Sequence, residues 1–245
     1  MLTVTTSWDD GDVLDLKLVN LLDKYNIKGT FYVTKEYRKE RLSDADIKSI
    51  SDRHEIGAHT LTHPDLRSIA REEKVHEIQG SKQWLEHLLG KDVPSFCYPS
   101  GFSDEESVEL VKEAGFRGAR TTLLGKLKPF TDPFVLPTTL QVYPMPFRKL
   151  GAHGYWWGKL LHPFKERSPA LRALGVPLTV FRSFEALACA TFDIARTQGG
   201  VFHLWGHSWE IDKYNMWQPL ERVLNYISNK KGCQYVTNAE VIRSV

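Results

Sequence analysis

Thr5-Thr6-Ser7-Trp8-Asp9-Asp10-Gly11 ends a short alternating apolar run, Leu2, Val4, Thr6 and Trp8, with two adjacent carboxylates and a glycine. Alternation marks a strand and glycine lets the backbone turn sharply, so the carboxylate pair is predicted to sit where a strand stops. In parallel α/β proteins that end of the strand carries the site. Neighbours in a strand point to opposite faces, but at a strand-to-turn junction one carboxylate can bind a metal while the other stays beside it. Taken alone, Asp-Asp-Gly is most often only a turn. The rest of the chain gives it more weight.

Working outward, the spacing of Val13, Leu14, Leu16, Leu18, Leu21 and Leu22 predicts a helix, and 29–33 reads as the next strand. A helix from Ser43 to about Ser51, a strand-like run at 55–59 and a long helix over 67–89 continue the alternation. Then follow a strand at 96–99, a helix at 104–114 and a strand at 116–122. Residues 125–177 break the rhythm: eight of the twelve prolines fall there, with an aromatic cluster at Tyr155, Trp156 and Trp157, and the stretch reads as a long insertion over one face. Alternation returns with a helix over 183–197, the run 200–207, a helix over 216–228, a strand at 234–236 and a terminal helix. Such order argues for a parallel sheet, closed or nearly closed into a barrel.

The 245 residues, 42% of them hydrophobic, are enough to bury one full core, and a single domain over 1–245 is expected. Thirty-two basic and 30 acidic residues leave a formal charge of +2, too little for a nucleic-acid footprint. The local cluster Lys35, Arg38, Lys39 and Arg41 has Glu36 and Glu40 between its members and reads as a solvated helix face. Cys97, Cys189 and Cys233 are odd in number and far apart, which suggests neither a disulfide framework nor a thiolate metal site and fits a reducing compartment. With no signal-like segment and no membrane-spanning run, the chain as given reads as cytoplasmic. Oligomeric state is not legible.

His59-Thr60-Leu61-Thr62-His63-Pro64 is the second informative stretch. Histidines four apart suit one helix face, but proline disfavours the helical conformation in the residue before it and favours the first helical turn. His63 is therefore read as preceding the helix, the two imidazoles converging from an extended or turning segment. A carboxylate from the end of the first strand completes three N and O ligands and leaves positions open for water and substrate, as in catalytic metal sites. Zinc is the first expectation, and Co2+, Fe2+ and Ni2+ suit the same ligands.

Ser7-Trp8-Asp9-Asp10-Gly11 resembles the first motif of the polysaccharide deacetylases, carbohydrate esterase family four, and His59-Thr60-Leu61-Thr62-His63 resembles their second. Order, spacing and the flanking Glu55-Ile56-Gly57-Ala58 and Gly29-Thr30-Phe31-Tyr32-Val33 agree over about the first hundred residues. The resemblance implies a distorted (β/α) barrel with fewer than eight parallel strands, about seven, and removal of acetyl groups from N-acetylated sugars or glycans. It implies Asp10, His59 and His63 as metal ligands and Asp9 as catalytic base. The family's third motif supplies a backbone N–H to the oxyanion; here Phe96-Cys97-Tyr98-Pro99-Ser100-Gly101 matches it, making Ser100 the donor and placing Tyr98 at the substrate pocket.

Two departures stand out. Cys97 occupies the place of an arginine that often pairs with the base, and no Asp-Trp fourth motif is recognisable; Arg120, at the end of a predicted strand, is the candidate to hold Asp9 ionised and oriented instead. The fifth motif ends a late strand with a histidine acid, and Val201-Phe202-His203-Leu204-Trp205-Gly206-His207 offers two. Strand alternation puts both on one face, and His207 lies nearer the C-terminal end, where the metal is expected. His207 is thus the expected acid, His203 a buried barrel histidine, and Trp205 a wall of the acetyl pocket. Trp156 and Trp157 are candidates for stacking on sugar rings, against ordinary core packing. Three other readings stay open: hydrolysis of a non-sugar C–N bond in a ureide or cyclic amide, a non-haem iron oxygenase, and a non-catalytic carbohydrate-binding relic.

Overall fold

The structure is a computed structural model that describes residues 1–127, 130–148 and 160–244. Its centre is β1 (Leu2–Asp10), paired in parallel with β2 (Thr30–Val33) on one side and β7 (Gly200–Gly206) on the other. From β2 the sheet continues through β3 (Glu55–Ala58) and β4 (Ser95–Cys97) to β5 (Gly118–Arg120), and from β7 to β6 (Leu140–Gln141). This path of seven parallel strands is the curled sheet that the strand-helix alternation predicts. A short strand, β8 (Cys233–Tyr235), lies off the path and pairs with the first residues of β1. At its far end β5 makes one isolated parallel bridge, Arg120 to Leu136 in the segment leading to β6, with Thr121 N–H donating to Leu136 O at 2.9 Å.

The segment 125–177 thus does more than cover a face. Leu140 and Gln141 pair with Leu204 and Trp205 of β7, so part of the expected insertion is barrel wall. A two-residue strand between prolines leaves almost no periodic signal, which is why the sequence reading passed over it. A helix over His162–Ala173 follows, with Pro163 in its first turn, where proline is tolerated. The expected aromatic cluster at Tyr155, Trp156 and Trp157 lies outside the described residues.

The helices follow amphipathic rules. Leu18 and Leu22 of Asp15–Lys24 and Leu220, Val223, Leu224 and Ile227 of Trp217–Ile227 face the barrel. The long helix starts at Arg71 rather than 67, because residues 66–68 form a separate short turn and Ile69 and Ala70 are extended. The basic cluster at 35–41 is a correction: those residues form a loop, not a helix, and Arg38 is tied down by Asp12 at 2.8 Å and by the Trp209 ring at 4.8 Å. Among the described residues no helix is long and apolar enough to cross a membrane.

Candidate active site

Because the strands are parallel, their C-terminal ends open on one side, and a cavity of about 570 Å3 lies there. Asp9 and Asp10 reach it from the end of β1. Alternation would turn one of them away, but Asp10 has φ +82° and Gly11 φ +70°, so the chain twists out of the strand as the carboxylates are placed. Gly11 also sits close to β2, since a Cβ there would approach Val33 Cβ at 3.1 Å and crowd it. Thr34 Oγ1 donates to the Asp10 carbonyl at 2.9 Å and fixes the turned peptide.

His59 follows β3 directly, and His63 comes from the turn that Pro64 terminates. That turn carries two left-handed residues, Thr60 (φ +64°) and His63 (φ +61°), and is held from beneath by Glu77 of the long helix. Glu77 accepts from Leu61 N–H at 2.8 Å, Thr62 N–H at 2.9 Å and the Thr62 hydroxyl at 2.6 Å. Tyr37 stacks on His63 with ring centres 4.3 Å apart.

Asp10 Oδ1 lies 3.7 Å from both His59 Nε2 and His63 Nε2, and it is buried without a hydrogen-bond partner. His59 Nδ1 donates to the Cys97 carbonyl at 2.7 Å. Burial keeps His59 neutral by pulling it down to about 4, so its Nε2 presents a lone pair to an anionic oxygen. Two electron-rich atoms face to face in a buried site repel unless a cation lies between them, and this donor set fits a divalent metal. Trp209 Nε1 donates to the other oxygen, Asp10 Oδ2, at 2.8 Å and orients the carboxylate. A second cluster, Asp9, His59 and Cys97, is as tight, but burial pushes the Cys97 thiol well above its ordinary value and Arg120 already occupies Asp9.

Asp9 is 2% exposed, and the fully buried Arg120 guanidinium donates to its Oδ2. Burial works against the carboxylate, but Arg120, His59 and His207 outweigh it and hold the Asp9 carboxyl below its usual value. Cys97 pairs in register with Arg120 and also faces Asp9, its Sγ 4.0 Å from Oδ2. Alternation therefore sends Tyr98 the other way. Expected at the pocket, Tyr98 is fully buried against Phe96, donates to the Phe134 carbonyl at 3.2 Å and does not line the cavity. Ser100 does line it. This residue is left-handed at φ +56°, and among the described residues its N–H has no partner, the turn being closed by Gly101 N–H to Tyr98 O and Phe102 N–H to Pro99 O.

The two late histidines have separate surroundings. His203 is 1% exposed, its Nδ1 donating to the Pro137 carbonyl at 3.0 Å and its Nε2 accepting from Ser7 Oγ at 2.8 Å; burial pulls it down to about 3. His207 faces the cavity just past β7, with Nε2 4.0 Å from Asp9 Oδ2 and Nδ1 2.6 Å from Glu210 Oε2. Burial opposes its protonation, but Glu210, Asp10 and Asp9 overcome this and lift it to about 9. Trp205 packs edge-on against His207 and lines the cavity, with the Arg120 guanidinium 4.7 Å from its ring centre.

Sequence reasoning missed Glu210, Trp209 and Glu77. Glu210 had a readable signal, since His and Glu three apart across a helix start share a face. Trp209 and Glu77 had none, because both act on residues distant along the chain.

The family model of the polysaccharide deacetylases matches residues 2–119. The chain is 30% identical over 98 residues to the peptidoglycan-N-acetylglucosamine deacetylase of Bacillus cereus, covering 39% of this chain and 35% of that protein. It is 28% identical over 118 residues to the chitooligosaccharide deacetylase of Azorhizobium caulinodans, covering 47% of this chain and 56% of that one. The chain thus spans well under two thirds of either relative. In three dimensions it is similar to a Mycobacterium smegmatis crystal structure assigned to the polysaccharide deacetylases, with a TM-score of 0.69 over 100% of this chain and 90% of that one. At 15% identity that likeness is one of fold.

Proposed function

From the match of the polysaccharide deacetylase family model to residues 2–119, we propose that this chain is a metal-dependent hydrolase removing the acetyl group from the nitrogen of an acetamido sugar. The observation that carries the reading is the unpartnered Asp10 Oδ1 facing His59 and His63, next to a second carboxylate, Asp9, held ionised by Arg120. Asp10, His59 and His63 would hold a divalent cation, zinc first, with Co2+, Fe2+ and Ni2+ suited to the same ligands. Once bound, it would acidify water in the site and polarise the amide carbonyl.

The remaining steps belong to the chain. Asp9, ionised at neutral pH, takes the proton of the attacking water while Arg120 keeps its carboxylate fixed. Negative charge developing on the carbonyl oxygen is met by the Ser100 N–H, whose left-handed backbone turns it out of the local hydrogen bonds. His207, protonated and oriented by Glu210, gives its proton to the departing nitrogen, without which an amine leaves poorly. Trp205 walls the space for the acetyl methyl. His203, buried and neutral, has its one N–H engaged with the Pro137 carbonyl and its Nε2 with Ser7, so it offers no proton to the substrate.

The two curated relatives are named for N-acetylglucosamine in peptidoglycan and for chitooligosaccharide, which supports an N-acetylhexosamine as the sugar. Metal analysis of the purified protein, with mass spectrometry of acetamido sugars incubated with and without added metal, tests the reading. It expects about one divalent ion per chain and metal-dependent loss of acetyl. Ring opening of a cyclic amide without acetate, or no turnover with any metal, would overturn it.

A further inference from the structure

A second buried guanidinium lines the same cavity. Arg167, on the helix His162–Ala173, is 8% exposed. Its Nη2 donates to Gln141 Oε1, its Cζ lies over the Tyr143 ring 4.3 Å from the ring centre, and its Nε is buried without an acceptor among the described residues. Among the described residues its only carboxylate contact is Glu166, its chain neighbour, at 3.4 Å and itself 53% exposed. Arg148 adds positive charge nearby, donating to the Tyr143 hydroxyl at 2.9 Å.

Arg120 makes the contrast plain. Burial works against that cation too, but Asp9 overcomes it, and the guanidinium ends above its ordinary value. At Arg167 burial prevails and the guanidinium ends below it. A buried charge without a buried counter-charge is costly, and an anion reaching it from the cavity offsets that cost. The neighbouring carboxylate, Glu210, is engaged with His207 at 2.6 Å, and Gln141 spans the gap by donating to Glu210 at 3.3 Å. Arg167 is thus linked to His207, the acid of the reaction, through neutral Gln141 and then Glu210.

We propose that Arg167 receives an anionic oxygen group carried by the substrate, a carboxylate or phosphate on the acetamido sugar, and so selects acidic over neutral sugars. The proposal rests on the deacetylase reading of this cavity. A guanidinium presents a planar fork that suits either group, and such charge-assisted pairs are among the stronger hydrogen bonds.

Calorimetry of the metal-loaded full chain with muramic acid, glucosamine 6-phosphate and glucosamine, none of which has an acetyl group to lose, measures binding apart from turnover. At least one acidic sugar should bind on the order of tenfold or more tighter than glucosamine; which one does separates carboxylate from phosphate. Arg167→Gln should erase that difference and leave glucosamine binding unchanged, and Arg167→Lys should keep part of it. Equal binding of all three sugars, or a preference that survives both variants because the anion seats elsewhere, overturns the proposal. Acetate release from the three N-acetylated counterparts tests the underlying activity separately. Release from all three with no preference in binding would leave the deacetylase reading standing and this one fallen; an Arg167-dependent preference without any release would do the reverse.

Discussion

At Asp10 the backbone takes a left-handed conformation that side chains other than glycine rarely adopt, and the cost of such a residue is of order 1 kcal/mol or more. What is obtained is two adjacent carboxylates in one cavity with different partners: Asp10 meets two imidazoles and an indole N–H, and Asp9 meets a guanidinium. The division of labour follows from those partners. Arg120→Ala should lower kcat at least tenfold with little change in KM, because Arg120 holds a base that acts only during chemistry; an unchanged kcat in a folded variant would reduce it to a packing role. At His207 the protonated state leans on Glu210. Removing that charge by Glu210→Gln should drop kcat and move the alkaline limb of the pH profile to lower pH, measured as acetate release from pH 6 to 10. A limb that stays in place would mean that another group donates the proton. The Asp9-Asp10 pair was legible because its residues are contiguous; Arg120 was found only by asking what replaces the arginine absent at Cys97. The motif taken as a unit points Tyr98 at the pocket, whereas the pleat, one residue on from Cys97, turns it away.

The elements fix those residues by ending where they do. β1, β3, β4, β5, β6 and β7 all stop at the cavity, so six separate chain segments deliver side chains to one place. The turn between β3 and the long helix carries two left-handed residues that are not glycine, Thr60 and His63, and three hydrogen bonds to Glu77 hold it. Glu77→Ala should therefore weaken metal binding about 10- to 100-fold, as loss of groups supporting ligands commonly does, although Glu77 touches no expected ligand atom. Metal affinity measured by competition with a chromophoric chelator checks this; wild-type affinity in a folded variant would show that the turn holds itself. Element order was readable from periodicity, whereas β6 was not, since Leu140 and Gln141 are too few to show alternation. Charge spacing alone suggests a helix at 35–41, but the tie between Arg38 and Asp12 that holds this loop joins residues far apart in sequence.

For the whole molecule, burial of polar groups in the barrel makes stability depend on pH. His203 sits at about 3 when folded and near 6.5 when unfolded, so between those values the unfolded chain binds the extra proton. Stability from this group is full above about pH 6.5 and is lost as pH falls towards 3. His54, whose burial also lowers it, adds in the same direction. Because His207 and the buried Asp15, both raised in the folded state, pull the other way, the test compares wild type with His203→Gln by urea denaturation of the metal-free proteins at pH 7.5, 6 and 5. The wild-type midpoint relative to the variant's should fall at each step, and a difference constant across that range would contradict the neutral, buried assignment of His203. The fold as a whole was legible because strand-helix alternation is local, while the counter-charges that tune the site are not. The central claim is that Asp10, His59 and His63 hold a metal on which hydrolysis depends. The most direct test is acetate release from an N-acetylglucosamine oligomer by chelator-treated protein as Zn2+ or Co2+ is added back in steps. The account predicts no release without metal, a rise that levels off near one ion per chain, and no recovery in Asp10→Ala; release that persists in the stripped protein, or full recovery in Asp10→Ala, would contradict it.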